Sequence, residues 1–512
     1  MKKLFLWAVL CVAAAFSSCS KHDNEINDVE PPVPPETTPL AIAFAEGNSL
    51  QFDANETKIV HYTITGGNDK TVVKAEMQNS DGAYALSTTS TSATEGTIKI
   101  TAKVPTDNRV IVTVSNGAQT IMAAIVVLTK PYFITVETPG TLSQLLADYD
   151  KSTIAKLTVI GNLNDEDIYT LDNLPNLAVL DMGNVNLKEL IDRAFTINTS
   201  LTSVKLPKTL KTIGESAFDG CSSLTSITIP DSVTSVGDYA FANCSGLTSI
   251  TIPNSVTSIR DSAFDHCSSL TSITIPDSVT EIGKNAFYSC ISLKNVIISN
   301  NVTSIGSWTF FDCSSLTNIT IPDSVTSIGE YAFYNCSNLT SITIPDGVVS
   351  IGKSIFANCE RLTSITIPDS MTSIGDEAFY GCSNLSAFYG KFVSSDNRYL
   401  IVNGKLIAFA PIGLTAYTIP NNVTSIGNSA FYGCTSLTSI TIPDSVTSIE
   451  NNAFSGCRSL TSIYCKATVP PSVGANAFYQ VSATLYVPAG SKTTYAIADE
   501  WKKFTTIIET EF

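Results

Sequence analysis

A mostly β solenoid built from 23-residue repeats is the fold class this sequence predicts, and three observations point to it. Phe recurs at 195, 218, 241, 264, 287, 310, 333, 356 and 379, then at 431 and 454. Between these positions lie short apolar alternations such as Leu224-Thr225-Ser226-Ile227-Thr228-Ile229, each closed by a proline such as Pro230. The chain of 512 residues exceeds what one compact core accommodates. A unit of this size cannot bury its own apolar side, so neighbours must stack and share an interior. Charged residues are only 15% of the total and Ser and Thr are abundant, so the expected surface is hydroxylated.

At the start, Lys2 and Lys3 precede the apolar run Leu4 to Phe16, which is too short to cross a bilayer and reads as an export signal over residues 1–18. It ends in Phe16-Ser17-Ser18-Cys19, which resembles a lipobox and implies lipidation of Cys19, although Phe16 stands where Leu is usual. An ordinary secretory peptide cleaved nearby is the alternative. Several acyl chains, at about 0.8 kcal/mol per buried CH₂, would anchor the protein durably. The polar stretch Ser20 to Glu25 is similar to segments that send such lipoproteins to the outward face of the outer membrane, the location expected here. Residues 19–39 then carry Pro31, Pro32, Pro34, Pro35 and Pro39, a composition for an extended polyproline tether.

Residues 40–134 contain alternating segments at Lys58 to Ile64, Thr97 to Ile100 and Val110 to Val114, separated by Gly66-Gly67, Asp81-Gly82 and Asn116-Gly117. This pattern predicts an all-β, immunoglobulin-like sandwich. Residues 135–194 are expected to hold the first cap and irregular repeats, with Leu142, Leu145, Leu146 and Tyr149 on one helical face. Asp165-Glu166-Asp167 reads as a solvated loop.

Within the array, assigned to 195–480, Leu224, Ile227 and Ile229 point inward, Pro230 ends the strand, and Val233 and Val236 begin the return. Ala240 and Phe241 fall on a short helical or turn segment. Roughly twelve units at a strand spacing of about 4.8 Å give one continuous apolar ribbon. The register breaks once, between Cys382 and Cys434, where an insert near 386–415 carries two short strands around Asn403-Gly404. Asp396, Asn397, Arg398 and Tyr399 are expected to protrude there, either as a recognition point or as an uninvolved hairpin. Residues 481–512 form the far cap, with a strand at Leu485 to Pro488, a helix from Ser491 to Trp501, and Trp501 and Phe504 closing the core.

Four columns repeat with the array. Cys recurs at 221, 244, 267, 290, 313, 336, 359, 382, 434 and 457. Stacked neighbours would lie within disulfide reach and thiolates bind soft metals. Against both, Asn198 fills the column in the first unit, and the thiols left after the leader and Cys19 are odd in number, so the column is read as a structural ladder. Asp or Asn follows each strand-ending proline, as at Asp231, Asn254 and Asp277; one carboxylate per unit coordinates calcium poorly, and turn chemistry suffices. Thr228, Thr251, Thr274, Thr343 and Thr366 form a hydroxyl column that either presents a flat face for a ligand or reflects strand propensity. Tyr288, Phe311, Tyr334, Tyr380 and Tyr432 form an aromatic column able to stack on sugars or anchor a protein, or serving only as packing.

Segments such as Leu224 to Pro230 and Ala240-Phe241-Ala242-Asn243-Cys244 resemble the signature of the BspA-like leucine-rich repeats, over about Thr135 to the C-terminus. The resemblance implies a surface protein associated with adhesion and with binding of host or partner-cell macromolecules. A net charge of -16 and the lack of a basic run beyond the first three residues argue against nucleic acid. The three histidines, His22, His61 and His266, are scattered, and no nucleophile elbow, phosphate loop or zinc spacing occurs. No catalytic residue, metal ligand or cofactor is therefore assigned. The expected function is adhesion or macromolecular binding through the repeat face, membrane contact being through the lipid anchor alone. The alternatives are a glycan-binding protein for nutrient capture and a ligand-free spacer.

Overall fold

The computed structural model describes residues 38–52, 56–79, 84–103, 108–129 and 132–512; the leader, Cys19 and most of the proline tether lie outside them. The first body has eight strands, β1 (Ala41–Phe44), β2 (Ser49–Phe52), β3 (Thr57–Thr65), β4 (Val72–Met77), β5 (Tyr84–Ser90), β6 (Glu95–Ala102), β7 (Asn108–Ser115) and β8 (Thr120–Thr129). They form two four-stranded sheets, ordered β1-β3-β6-β5 and β2-β8-β7-β4. All pairings are antiparallel except β2 with β8. Alternation does the sorting: along β3, Val60, Tyr62 and Ile64 are buried while Ile59, His61 and Thr63 face out. They meet Phe52, Ile98, Val112 and Ile125 in one core drawn from both sheets.

Solenoid stacking begins at β9 (Tyr132–Val136), which pairs in parallel with Lys156–Asn162. It continues for about 16 turns, more than the dozen counted from regular repeats, because the irregular first units stack too. Each regular turn supplies a strand to two parallel sheets, as Ser226–Thr228 on Ser249–Thr251 and Ser235–Val236 on Thr212–Ile213. The Phe segment forms turns rather than a helix, yet it is paired as well. The N–H groups of Tyr239, Phe241 and Asn243 donate to the carbonyls of Asp261, Ala263 and Asp265 in the next turn, at 2.7–3.0 Å. Tyr239 and Asn243, at the two ends of this third ladder, have left-handed backbone, with φ of 58° and 56°.

Leu224, Ile227, Ile229, Val233, Val236 and Phe241 are all buried, as the periodicity requires. Consecutive Phe rings from Phe195 to Phe379 stack at 5.4–5.7 Å between centroids. Each buried Phe contributes roughly 1.5–3 kcal/mol from burial alone. The interior is divided, however. One apolar cluster runs from Ile134 to Ala410 and a second from Tyr399 to Ile507.

The boundary is the insert, a hairpin of Tyr399–Val402 and Lys405–Phe409 turning at Asn403-Gly404. Its side chains serve both interiors: Leu400 and Ile407 join the first cluster, Tyr399, Leu406 and Phe409 the second. Of the four residues expected to protrude, Asp396 and Asn397 are exposed, but Arg398 and Tyr399 turn inward. Tyr399 is buried, and the Arg398 guanidinium is turned inward, donating to the carbonyls of Ser386 and Ile412 at 3.0 and 2.9 Å. Asp396 accepts from the Tyr417 hydroxyl at 2.9 Å. A seam between two stacks leaves backbone carbonyls unpaired, and a guanidinium with five donors satisfies them.

Both ends are closed. Helix α1 (Leu142–Leu145) is a single turn, so only Leu142 and Leu146 reach the core, while Leu145 and Tyr149 are each 41% exposed. Asp165-Glu166-Asp167 is no loop; it opens helix α2 (Asp165–Asp172), where acidic residues complement the helix dipole. Asp167 is buried and accepts from the backbone N–H groups of Gly140, Leu142 and Asn164 at 2.7–3.0 Å. At the far end, helix α3 (Lys492–Ile497) stops short of the expected Trp501, which lies in a separate turn and is buried with Phe504. A final strand, Ile507–Thr510, pairs in parallel with Thr484–Pro488.

Candidate ligand-binding surface

The cysteine column is a scaffold. From Cys221 to Cys382, and again at Cys457, each buried Sγ donates to a Phe carbonyl 26 residues earlier, at 3.0–3.2 Å. All eleven thiols described are free. Burial pushes the Cys221 and Cys382 thiols up to about 12, far from thiolate character at neutral pH. The proline-linked turns close locally, Val233 N–H donating to Pro230 at 3.0 Å. Among the described residues no group of three or more His, Cys, Asp or Glu side chains converges as a metal site would.

The structure places Thr228, Thr251, Thr274, Thr343 and Thr366 on the exposed side of the first sheet. Thr228 sits beside Thr251 and Thr343 beside Thr366, but Thr274 pairs with Ile297, which is 62% exposed. The hydroxyl column is thus interrupted at its middle.

The aromatic column is continuous over three turns and then changes character. Tyr288, Phe311 and Tyr334 stack at 4.6 Å with interplanar angles of 1° and 3°. Beside them runs a second column, three residues earlier in each unit, which sequence reading did not single out. There Trp308 stacks on Tyr331 at 4.1 Å, and both pack on the first column. Trp308 and Tyr331 have φ of 63° and 57°, a left-handed conformation uncommon for bulky residues. Aligning the units on Phe would have shown Tyr239, Trp308 and Tyr331 in one register.

One turn later the second column loses its rings, becoming Ser354, Glu377, Ser429, Asn452 and Asn476. The turn carrying the hairpin contributes strands to both sheets but no Phe segment, so the units on either side of it touch directly on this face. Tyr380 and Tyr432, 52 positions apart in sequence, have ring centroids 4.2 Å apart. Glu377 accepts from Ser429 Oγ at 3.2 Å, and Asp376 from Asn428 Nδ2 at 2.8 Å. Burial pushes the Tyr380 phenol well above its ordinary value, reinforced by its hydrogen bond with Tyr432.

These departures make a groove of about 520 Å³, bounded by Tyr331 and Tyr334 at one end and Tyr479 at the other, with Tyr380 and Tyr432 between them. Its floor is the buried Ser354, Ser429 and Ser455. Glu377, held 3.6 Å from Lys353, and Asn452 supply polar groups along it. Of the aromatic column, the groove therefore gathers Tyr334, Tyr380 and Tyr432 and leaves Tyr288 and Phe311 outside. A second depression of about 560 Å³ lies on the first sheet over Thr251, Thr274 and Ile297, with no aromatic ring in its lining.

A fold of stacked parallel turns sharing one repeated pattern of inward Leu, Ile and Phe side chains defines a repeat scaffold of the leucine-rich class. The profile of the BspA type leucine-rich repeat region matches residues 188–317, 309–394 and 406–500, more than half of the chain, and the chain belongs to that family. It is similar to a leucine-rich repeat protein from Bacteroides ovatus, at 28% identity over 74% of this chain and 84% of that one, TM-score 0.46. It is also similar to a leucine-rich cell surface protein from Faecalibacterium prausnitzii, at 34% identity over 55% and 83%, TM-score 0.42. A leucine-rich repeat protein from Eubacterium ventriosum matches at 22% identity over 74% and 93%, TM-score 0.41. No curated protein matches. Among the described residues no helix is long and apolar enough to cross a membrane.

Proposed function

We propose that the chain is a lipid-anchored cell-surface protein that binds host or partner-cell macromolecules through its solenoid. Cys19 carries the anchor in this reading, in the outer membrane and facing outward, and the proline tether and an immunoglobulin-like first body form the stalk. The observation that carries it is the aromatic array. A fold that buries every ring of its Phe ladder leaves Trp308, Phe311, Tyr331 and Tyr334 stacked and only half-buried at its surface, and clustered aromatic rings at a surface are what binding sites use. The surface-protein description of the Faecalibacterium relative agrees with the location.

An array of extracellular-matrix proteins and glycans probed with the purified chain tests the binding. Hits weakened by Tyr334→Ala support it, and a blank array leaves a ligand-free spacer. Incorporation of labelled palmitate, lost in Cys19→Ala, tests the anchor. A second reading, glycan capture for nutrient uptake, is favoured by one observation, the groove of rings over a polar floor.

A further inference from the structure

We infer that the groove between Tyr331 and Tyr479 is a binding site for a neutral glycan chain, an inference that rests on the binding role above and names its ligand. Pyranose rings present apolar C–H faces and equatorial hydroxyls, so a site for them needs aromatic surfaces interleaved with hydrogen-bonding groups. The groove has both. Tyr334, Tyr380 and Tyr432 offer rings, while Ser354, Glu377 and Asn452 lie in the same lining. Its length, from the turn of Tyr331 to that of Tyr479, is five turn-to-turn steps, roughly 24 Å at about 4.8 Å per step. That suits a short linear oligosaccharide.

Charge chooses among glycans. The one carboxylate in the lining is Glu377, and the chain as a whole carries -16, so sulfated or sialylated chains are repelled. The placement is not a by-product of the repeat either. In the two turns just before it the second column carries Trp308 and Tyr331, and the groove opens where Ser354 follows them, beside the hairpin turn that omits its Phe segment.

The repeat supplies its own blocking substitution. Ser354 has φ of 51°, and Tyr239 and Tyr331 occupy the same register at φ of 58° and 57°, so Ser354→Tyr places a ring the backbone already accepts into the groove. Ser262→Tyr makes the same change in that register outside the groove. The purified chain is titrated with members of a neutral plant and host oligosaccharide panel, with sulfated chains and with tyrosine- and proline-rich peptides. The expected result is binding of neutral oligosaccharides that falls at least tenfold in Ser354→Tyr and in Tyr380→Ala and is unchanged in Ser262→Tyr.

No binding to any neutral glycan overturns the inference, as does glycan binding that Ser354→Tyr and Tyr380→Ala leave intact. Preference for peptides over glycans also overturns it. The parent reading stands or falls separately, since matrix-protein hits weakened by Tyr334→Ala survive any of these outcomes. Should Ser354→Tyr fold poorly by circular dichroism, Tyr380→Ala, which removes only a half-exposed ring, decides alone.

Discussion

Replacing Phe287 by Ala removes the ring that the middle of the array depends on most directly. Phe287 is fully buried, with Phe264 at 5.4 Å on one side and Phe310 at 5.5 Å on the other. A buried Phe→Ala change costs about 3–5 kcal/mol for transfer and cavity together. Each lost aromatic pair is worth about 0.5–1.5 kcal/mol beyond burial, part of which that range already contains. The expected loss is therefore about 5 kcal/mol. Because turns contact only their neighbours, the damage should be local, splitting the unfolding transition at the weakened interface. The regular turns of the cysteine column each carry their own reporter, the buried thiol. Pulse alkylation across a urea gradient, read by mass spectrometry, should show Cys267, Cys290 and Cys313 reacting at lower urea than Cys457. Tyr288→Ala, which removes a half-exposed ring stacked on Phe311 alone within the column, is expected to cost about 1 kcal/mol. Equal losses in the two variants would refute the claim that the inner Phe stack, rather than backbone pairing, holds the turns together.

Asp167→Ala strands three N–H donors at the first cap, the Leu142 donor buried and the other two partly so, and should cost about 2–3 kcal/mol, with proteolysis appearing between 140 and 165. Stability should also fall in alkali. A thiol whose folded value lies above the ordinary 9.0 keeps its proton longer when folded, so its contribution is intact below pH 9 and lost as pH rises towards 12. Thermal melts between pH 8 and 11 should decline steeply, and Cys221→Ala, Cys244→Ala and Cys382→Ala combined should flatten that decline. Trp501→Ala, which removes a buried ring packed on Tyr495 and Phe478, should expose the open end of the second core, detected as concentration-dependent association in sedimentation.

The interior was legible because its period is strict. Leu224, Ile227, Ile229 and Phe241 recur every 23 residues, and one assignment transfers to every regular turn. Where repetition stops, so did the reading. Arg398 and Tyr399 looked exposed because they are polar or amphipathic and have no counterpart in other units, whereas the seam gives them unpaired carbonyls and an apolar wall to cover. Asp165-Glu166-Asp167 looked like loop because charge runs usually are; Asn164 and Asp167 together form a capping box that starts a helix. Of the groove, Tyr334, Tyr380 and Tyr432 were visible as a column, but Ser354, Glu377 and Asn452 were not. Small polar residues in a turn carry no signal until the neighbouring rings and the missing segment show what space they leave.

The groove straddles the seam. Tyr331 and Tyr334 belong to turns of the first core, and Asn452 and Tyr479 to turns of the second. A guest lying along it would grip both halves at once, so its affinity adds to their cohesion: at a hundred times its dissociation constant, about 2.7 kcal/mol. An attached molecule pulled by its cargo would thus be clamped at the one joint where its stack is discontinuous, and letting go of the cargo would slacken that joint.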